Sequence, residues 1–340
     1  MLAMTTRRVL RLFLRWTALA AAVVVLLGLA AVAALRWQFA GTPAPWARTT
    51  GHDALWMGHA WVDGRRTAED VDALAVRLRG SGIRDVYVHS GPLDYDGTLR
   101  PDKYPNAQNF LKWWRERLPE VRVSAWLGQK VGADEKPRLD LADPPARERI
   151  VAGARALVDL GFDGIHYDFE PVADGDGPFL SMLRETRQAI GTKLLTTATQ
   201  QIEPLPGLRH PSRLAIGHDK YWSSDYFRQV VELTDQVAIM TYDSGMPLRS
   251  LYGGFVVRQA EIAMGLVPED KTLLIGAPAY HDHGVTWGDA AESVAAAADG
   301  TRLALTEHGP RTDLGLALYV DFAATEEDWE EYRTAWVDPR

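Results

Sequence analysis

Short apolar runs alternate along this chain with longer stretches of helical spacing. Apolar or alternating strand-like runs fall at 54–62, 83–89, 121–128, 164–171, 193–200, 236–243, 272–280 and 314–321. Between them the pattern predicts helices. Thr67-Ala68-Glu69-Asp70 reads as a capping site ahead of Val71, Leu74 and Leu78. Ala146 to Leu160 puts Ile150, Ala154, Leu157 and Val158 on one face. Ser224 to Leu233 and Phe255 to Leu266 are similar, and an Ala-rich seventh helix is expected around 288–299. Thr325 is an N-cap followed by three acidic residues that suit the helix dipole. Trp113-Trp114 falls in a helical segment and reads as packing. Eight strands, each followed by a helix, predict an α/β fold, a (β/α)8 TIM barrel. A doubly wound open sheet is the alternative, but no glycine-rich phosphate loop follows the first strand.

The N-terminal segment has a different pattern. Arg7, Arg8, Arg11 and Arg15 precede an uncharged run from Trp16 to Leu35, rich in Ala, Val and Leu. Such a run is long enough to cross a bilayer, and the arginines orient it with the N-terminus in the cytoplasm. The expected organisation is a basic cytoplasmic tail (1–15), a transmembrane signal-anchor (16–36), a linker (37–51) with Pro43 and Pro45, and an extracytoplasmic barrel (52–340). A secreted form is the alternative, since Ala31-Val32-Ala33 resembles a signal cleavage site. The 340 residues carry a net charge of −8, which argues against nucleic acid as a partner. With no cysteine, disulfides, thiolate catalysis and Cys-ligated metals are excluded.

Connections entering the strands are short, such as Gly80-Ser81-Gly82 and Gly161-Phe162, while those leaving them are long, such as 90–107, 203–223 and 282–288. In such barrels the loops after the strands build the active site. The fourth strand ends there with His166, Asp168 and Glu170 on one face and Ile165, Tyr167 and Phe169 on the other. Burying carboxylates two residues apart is expensive unless they are paired or protonated. Such a pair splits its pKa values, so that one member stays ionised and the other serves as an acid. A structural carboxylate network is the alternative.

Asp163-Gly164-Ile165-His166-Tyr167-Asp168-Phe169-Glu170 resembles the DGxDxDxE signature of family 18 glycoside hydrolases, the chitinase-like barrels. Met240-Thr241-Tyr242-Asp243 resembles that family's M-x-Y-D motif, and Gly276-Ala277-Pro278-Ala279-Tyr280 its seventh-strand segment. The resemblance covers most of residues 54–324. It implies a substrate-assisted, retaining hydrolysis of N-acetylhexosamine-containing glycans without a cofactor. Glu170 would be the general acid. Asp168 would orient the substrate's 2-acetamido group and stabilise the oxazolinium, with Tyr242 and Asp243 on its other side. The substrate class would be a polysaccharide or oligosaccharide, chitin-like or derived from peptidoglycan.

The departures from the pattern are specific. His166 stands where the family has Asp, and is expected to hydrogen-bond Asp168 and keep it ionised. The third strand, Val121 to Gly128, lacks the family's SxGG segment. Tyr319 and Asp321 occupy the eighth strand where chitinases place a Trp beneath the sugar. His166, Trp61, Trp126, Tyr280 and Tyr319 are the candidate substrate-binding residues. Trp222 and Trp287 are further aromatics near strand ends, suited to stacking on sugar faces. His281 and His283 fall on one side of an extended segment, with His59 and His218 as further histidines of the same face, but the sequence shows no convergence of three ligands and no metal is expected. A non-catalytic carbohydrate-binding barrel and a metal-dependent polysaccharide deacetylase are the competing functional readings. A Ser hydrolase lacks its Gly-x-Ser-x-Gly elbow.

Overall fold

The computed structural model describes residues 2–132, 136–281 and 291–339. The described residues form a closed ring of eight parallel strands: β1 (Asp53–Met57), β2 (Ile83–His89), β3 (Arg122–Lys130), β4 (Gly164–Glu170), β5 (Leu194–Thr199), β6 (Gln236–Ile239), β7 (Thr272–Pro278) and β8 (Leu314–Tyr319). Neighbours in the ring are neighbours in sequence, and β8 closes on β1 through Ala54↔Ala317 and Leu55↔Leu318. The helices are α1 (Leu2–Gln38), α2 (Ala68–Leu78), α3 (Ala107–Arg117), α4 (Pro144–Leu160), α5 (Gly177–Ile190), α6 (Arg209–Ile216), α7 (Ser224–Leu233), α8 (Arg249–Met264), α9 (Val294–His308) and α10 (Glu326–Tyr332). A two-residue ribbon, Gln201–Ile202 with Tyr221–Trp222, stands beside the barrel.

Strand alternation divides the core in two. Outward residues such as Leu55, Val86, Ile165, Tyr167 and Phe169 pack against the helices. Inward residues fill the lumen, where Trp56, Tyr87, Trp126 and Leu274 interleave with Ala54, Ala198, Ala238 and Ala317. Large residues alternating with alanines fill the tapered interior.

The Asp163-Gly164 pair is explained at the barrel's lower end. The Asp163 carboxylate accepts from Val123 N (2.8 Å) and Arg115 Nη2 (2.6 Å), tying β4 to β3. A Cβ at Gly164 would lie 2.3 Å from the Leu194 carbonyl oxygen, so only glycine lets β4 approach β5 this closely.

Three elements depart from the sequence pattern. The first run stops at Met57, and His59–Trp61 forms a 3-10 turn. Asp321 holds that turn by accepting from Gly58 N (2.7 Å) and Trp61 Nε1 (2.6 Å). The helix expected around 288–299 runs from Val294 to His308, because Ser293 caps it through Ala296 N; positions 288–290 lie outside the described residues. Helix α8 starts at Arg249 rather than Phe255, and Gly253-Gly254 lies inside it. A Cβ at Gly254 would sit 2.0 Å from Leu35 O, and one at Gly253 2.2 Å from the Phe39 ring. The glycines let the end of α1 rest on α8.

The stretch Leu12–Gln38 of α1 is long and apolar enough to cross a membrane, with mean hydropathy 2.8. The chain then follows α9, where Ala44 N donates to Thr306 Oγ1 (2.8 Å) and Arg302 Nε to Ala47 O (2.7 Å). It enters β1 at Asp53. This buried carboxylate accepts from Thr49 Oγ1, Leu316 N (2.7 Å), Tyr332 Oη (2.8 Å) and Trp336 Nε1 (2.8 Å). Burial pushes its pKa up to about 6 against those bonds. Asp53 thus joins the first strand, the last strand and the C-terminal segment. Asp53→Ala strands several buried donors and is expected to cost about 3 kcal/mol, since each unsatisfied group costs roughly 1–3 kcal/mol. Urea denaturation checks this, and an unchanged midpoint would refute the assigned role.

Candidate active site

Strand β4 runs in register with β3 from Ser124↔Gly164 to Lys130↔Glu170, which lifts Asp168 and Glu170 to the ring's upper rim. Asp168 is half-buried there and Glu170 is open to the cavity above it. Asp168 Oδ2 accepts from Trp126 Nε1 at 3.1 Å. Its Oδ1 is buried, with no hydrogen-bond partner among the described residues apart from the proton that Glu170 can supply. Crowding by protein atoms drives both carboxyls toward neutrality. Asp168 is pushed up to about 6 by burial, moderated by its bonds with Glu170 and Trp126. Glu170 is pushed well above the usual carboxylate range by burial, then by the charge of Asp168, the bond to it, and the charge of Asp243. The pair therefore titrates as a unit in which Glu170 holds its proton longer.

Two cavities flank this pair. One, of about 480 Å³, is lined by His89, Trp126, Gln129, Lys130, Gln200 and His218 beside the two carboxyls. The other, of about 340 Å³, adds Gln201, Lys220, Met240, Tyr242, Asp243 and Tyr319. Tyr242 stacks on Tyr319 with ring centroids 5.1 Å apart. Tyr280 Oη donates to Asp243 Oδ1 (2.6 Å) and its ring meets both tyrosines edge-on. Gly276 makes room for this wall: a Cβ there would lie 2.9 Å from the Tyr242 ring. A separate cleft of about 420 Å³ near the strands' N-terminal ends, between α2 and α10, has Arg77, Glu326 and Trp329 in its lining and no carboxyl pair of this kind.

The fold brings Glu170, Asp168, Tyr242, Asp243, Trp126, Tyr280 and Tyr319 together. It places two other candidates elsewhere. Trp61 is buried outside both cavities, between Asp321 and Phe110. His166 is fully buried beneath the floor, and its expected bond to Asp168 is not formed. Instead Trp56 Nε1 donates to His166 Nε2 (3.0 Å), and Tyr87 stacks on the ring at 3.8 Å. An indole N–H can only donate, so Nε2 accepts, and Nδ1 carries the proton that Thr196 Oγ1 receives at 3.0 Å. Burial pushes His166 well below its ordinary pKa. It is a neutral core residue, and Trp126, not His166, is the hydrogen-bond partner of Asp168.

Trp222 is also core, donating to Val172 O at 2.8 Å. Trp287 and His283 lie outside the described residues. His281 pairs with Asp328 (2.8 Å), and His59 with the Lys103 carbonyl. Among the described residues no three potential ligands converge as a metal site. Sequence reasoning missed Gln200, Gln201, Lys220 and Glu292. Gln201 Nε2 donates to Tyr242 O (2.9 Å), and the Glu292 carboxylate accepts from Asp243 N (2.8 Å). No motif or spacing singles these residues out, because loops bring them in.

No known protein family matches the sequence, and no curated protein matches it. Solved structures do match. The Bacillus cereus spore cortex-lytic enzyme SleL superposes with a TM-score of 0.58 at 14% identity, over 87% of this chain and 75% of that one. A class V chitinase from Pseudomonas fluorescens gives 0.56 at 16%, over 83% and 98% of the two chains. A chitinase from Bacteroides thetaiotaomicron gives 0.55 at 14%, over 82% and 93%. At such identities the likeness is one of fold.

The His166 geometry makes a prediction. Its imidazole stays neutral, as the Nδ1–H tautomer, through the pH range in which an ordinary His titrates. Nitrogen-15 NMR of the ring checks this; a titration midpoint near 6.5 would contradict the buried arrangement.

Proposed function

We propose that this chain is a membrane-anchored, extracytoplasmic glycoside hydrolase of the family 18 type, acting on N-acetylhexosamine-containing glycans. The observation that carries the reading is the Asp168–Glu170 pair at the rim of a chitinase-like barrel, with Glu170 the more strongly protonated member. The apolar stretch Leu12–Gln38 supports the anchor.

In this reading the glycan lies across the two cavities. Glu170 gives its proton to the leaving glycosidic oxygen as the bond to the anomeric carbon breaks. The substrate's own acetamido oxygen attacks that carbon, so no second carboxylate nucleophile is needed. Asp168 accepts from the acetamido N–H, and its negative charge offsets the positive oxazolinium. Trp126 holds the other oxygen of Asp168 in place. Tyr242 and Asp243 bound the acetamido group, and the stacked Tyr319 replaces the usual indole platform. Water then opens the oxazolinium, giving up its proton to the Glu170 carboxylate, which restores the acid. The barrel's resident residues suffice for these steps.

The test is hydrolysis of β-linked N-acetylglucosamine oligomers and cell-wall glycan fragments by the wild type and by Glu170→Gln. The expected loss is about 10²-fold or more. Equal, negligible turnover with retained glycan binding would instead favour a carbohydrate-binding barrel.

The pH profile is also specified. Activity needs Asp168 ionised, so it rises as pH climbs through about 6. It needs Glu170 protonated, so it falls at higher pH as that proton is lost. The Asp168 charge raises the Glu170 pKa, and removing it must lower that pKa. The residual activity of Asp168→Asn is therefore expected to lose its alkaline limb at lower pH than the wild type does. A limb that stays put would show that the two carboxyls are uncoupled.

A further inference from the structure

Asp243 has a backbone φ of +52°, in the left-handed region that residues with a side chain rarely adopt. It lies beyond the end of β6, where no ladder holds it. Two side chains do. The Glu292 carboxylate accepts from Asp243 N (2.8 Å), Ser244 N (2.8 Å) and Ser244 Oγ (2.5 Å). On the other side, Lys220 Nζ donates to Asp243 O (3.2 Å) and Ser244 O (3.0 Å). Both backbone N–H groups and both carbonyls of this two-residue turn are thus satisfied by one anion and one cation. The charges match the groups they hold, since a carboxylate only accepts and an ammonium only donates.

We propose that Glu292 and Lys220 are positioning residues, a two-sided clamp that sets the direction of the Asp243 side chain. Released from it, Asp243 would relax toward an ordinary right-handed or extended conformation. Its carboxylate would then swing away from Tyr280 Oη, which it meets at 2.6 Å on the wall of the smaller cavity. The clamp also joins separate parts of the rim. Glu292 stands just before α9, and Lys220 lies in the long connection after β5, between α6 and the Tyr221–Trp222 ribbon strand. Ile216 and His218 of that connection line the same cavity as Asp243. Fixing the turn therefore also fixes the cavity's edge. A misplacement of about 1 Å at such a site can cost about 10²-fold in rate.

The inference rests on the reading of Asp243 as part of the glycan site, and the experiment separates the two. Asp243→Ala, Glu292→Ala, Glu292→Gln, Lys220→Met and the double variant Asp243→Ala/Glu292→Ala are compared with the wild type. The readouts are kcat and KM on N-acetylglucosamine oligomers and thermal midpoints. Where turnover is absent, oligomer affinity by calorimetry replaces the kinetics. Glu292→Ala and Lys220→Met are expected to lose about tenfold to 10²-fold in kcat/KM. Glu292→Gln keeps one acceptor oxygen but sets an NH2 against the second backbone N–H, so it should recover only part of that loss. The double variant should lose no more than Asp243→Ala alone, because both changes act on one side chain. Multiplying losses would overturn the clamp, as would wild-type values for Glu292→Ala and Lys220→Met. So would a loss in Glu292→Ala that tracks only a lowered midpoint. A wild-type Asp243→Ala would overturn the underlying reading of the site instead.

Discussion

In a closed parallel barrel an inward ionisable side chain is held neutral where the lumen is sealed and can carry charge only where the lumen opens. Strand β4 shows both sides of that constraint. His166 sits one layer down, where Tyr87, Trp56 and Thr196 surround it, and burial keeps it neutral. Asp168 and Glu170 sit at the rim, where crowding raises their pKa values but the cavity still admits solvent and ligand. The rest of the barrel is arranged around that gradient. Aromatics from β1–β3 fill the lumen below, and alanines among them leave them room.

The same gradient explains how the site is held. Groups in the lumen are fixed by packing, as with Trp126, which is wedged among His89 and Tyr319 and so can aim its N–H at Asp168. Groups above the rim have no ladder and depend on side chains reaching across loops. Gln201 holds the Tyr242 carbonyl, and Glu292 holds the Asp243–Ser244 turn. Polar contacts of this kind are worth most where water is partly excluded. The far end of the barrel uses a buried carboxylate for a different purpose. There Asp53 joins β1, β8 and the C-terminal segment.

Much of the architecture was legible in the chain. Each strand-like run became a barrel strand, since period and length mark strands buried among helices. Boundaries failed where a tertiary contact overrode the local pattern. The helix expected from Phe255 begins at Arg249 instead, with Gly253-Gly254 inside α8 where α1 approaches. The first strand ends early because Asp321, far away in sequence, draws the turn at Gly58 across the rim.

The amino-acid order by itself determined which residues of β4 share a face, which end of the barrel carries long loops, and which stretch could cross a membrane. These follow from periodicity and composition, which are local. Only the tertiary structure decided which residues on a shared face touch. Residues two apart on a strand are roughly 6.6 Å apart along the chain, while neighbouring strands lie about 4.8 Å away. His166 therefore bonded across the lumen to Trp56 and sideways to Thr196 of β5 rather than along β4 to Asp168, and Trp126 of β3 took that place. Glu292 and Lys220 reached the site for the same reason. Their positions depend on how loops from distant strands meet above the rim, and no spacing along the chain encodes that meeting.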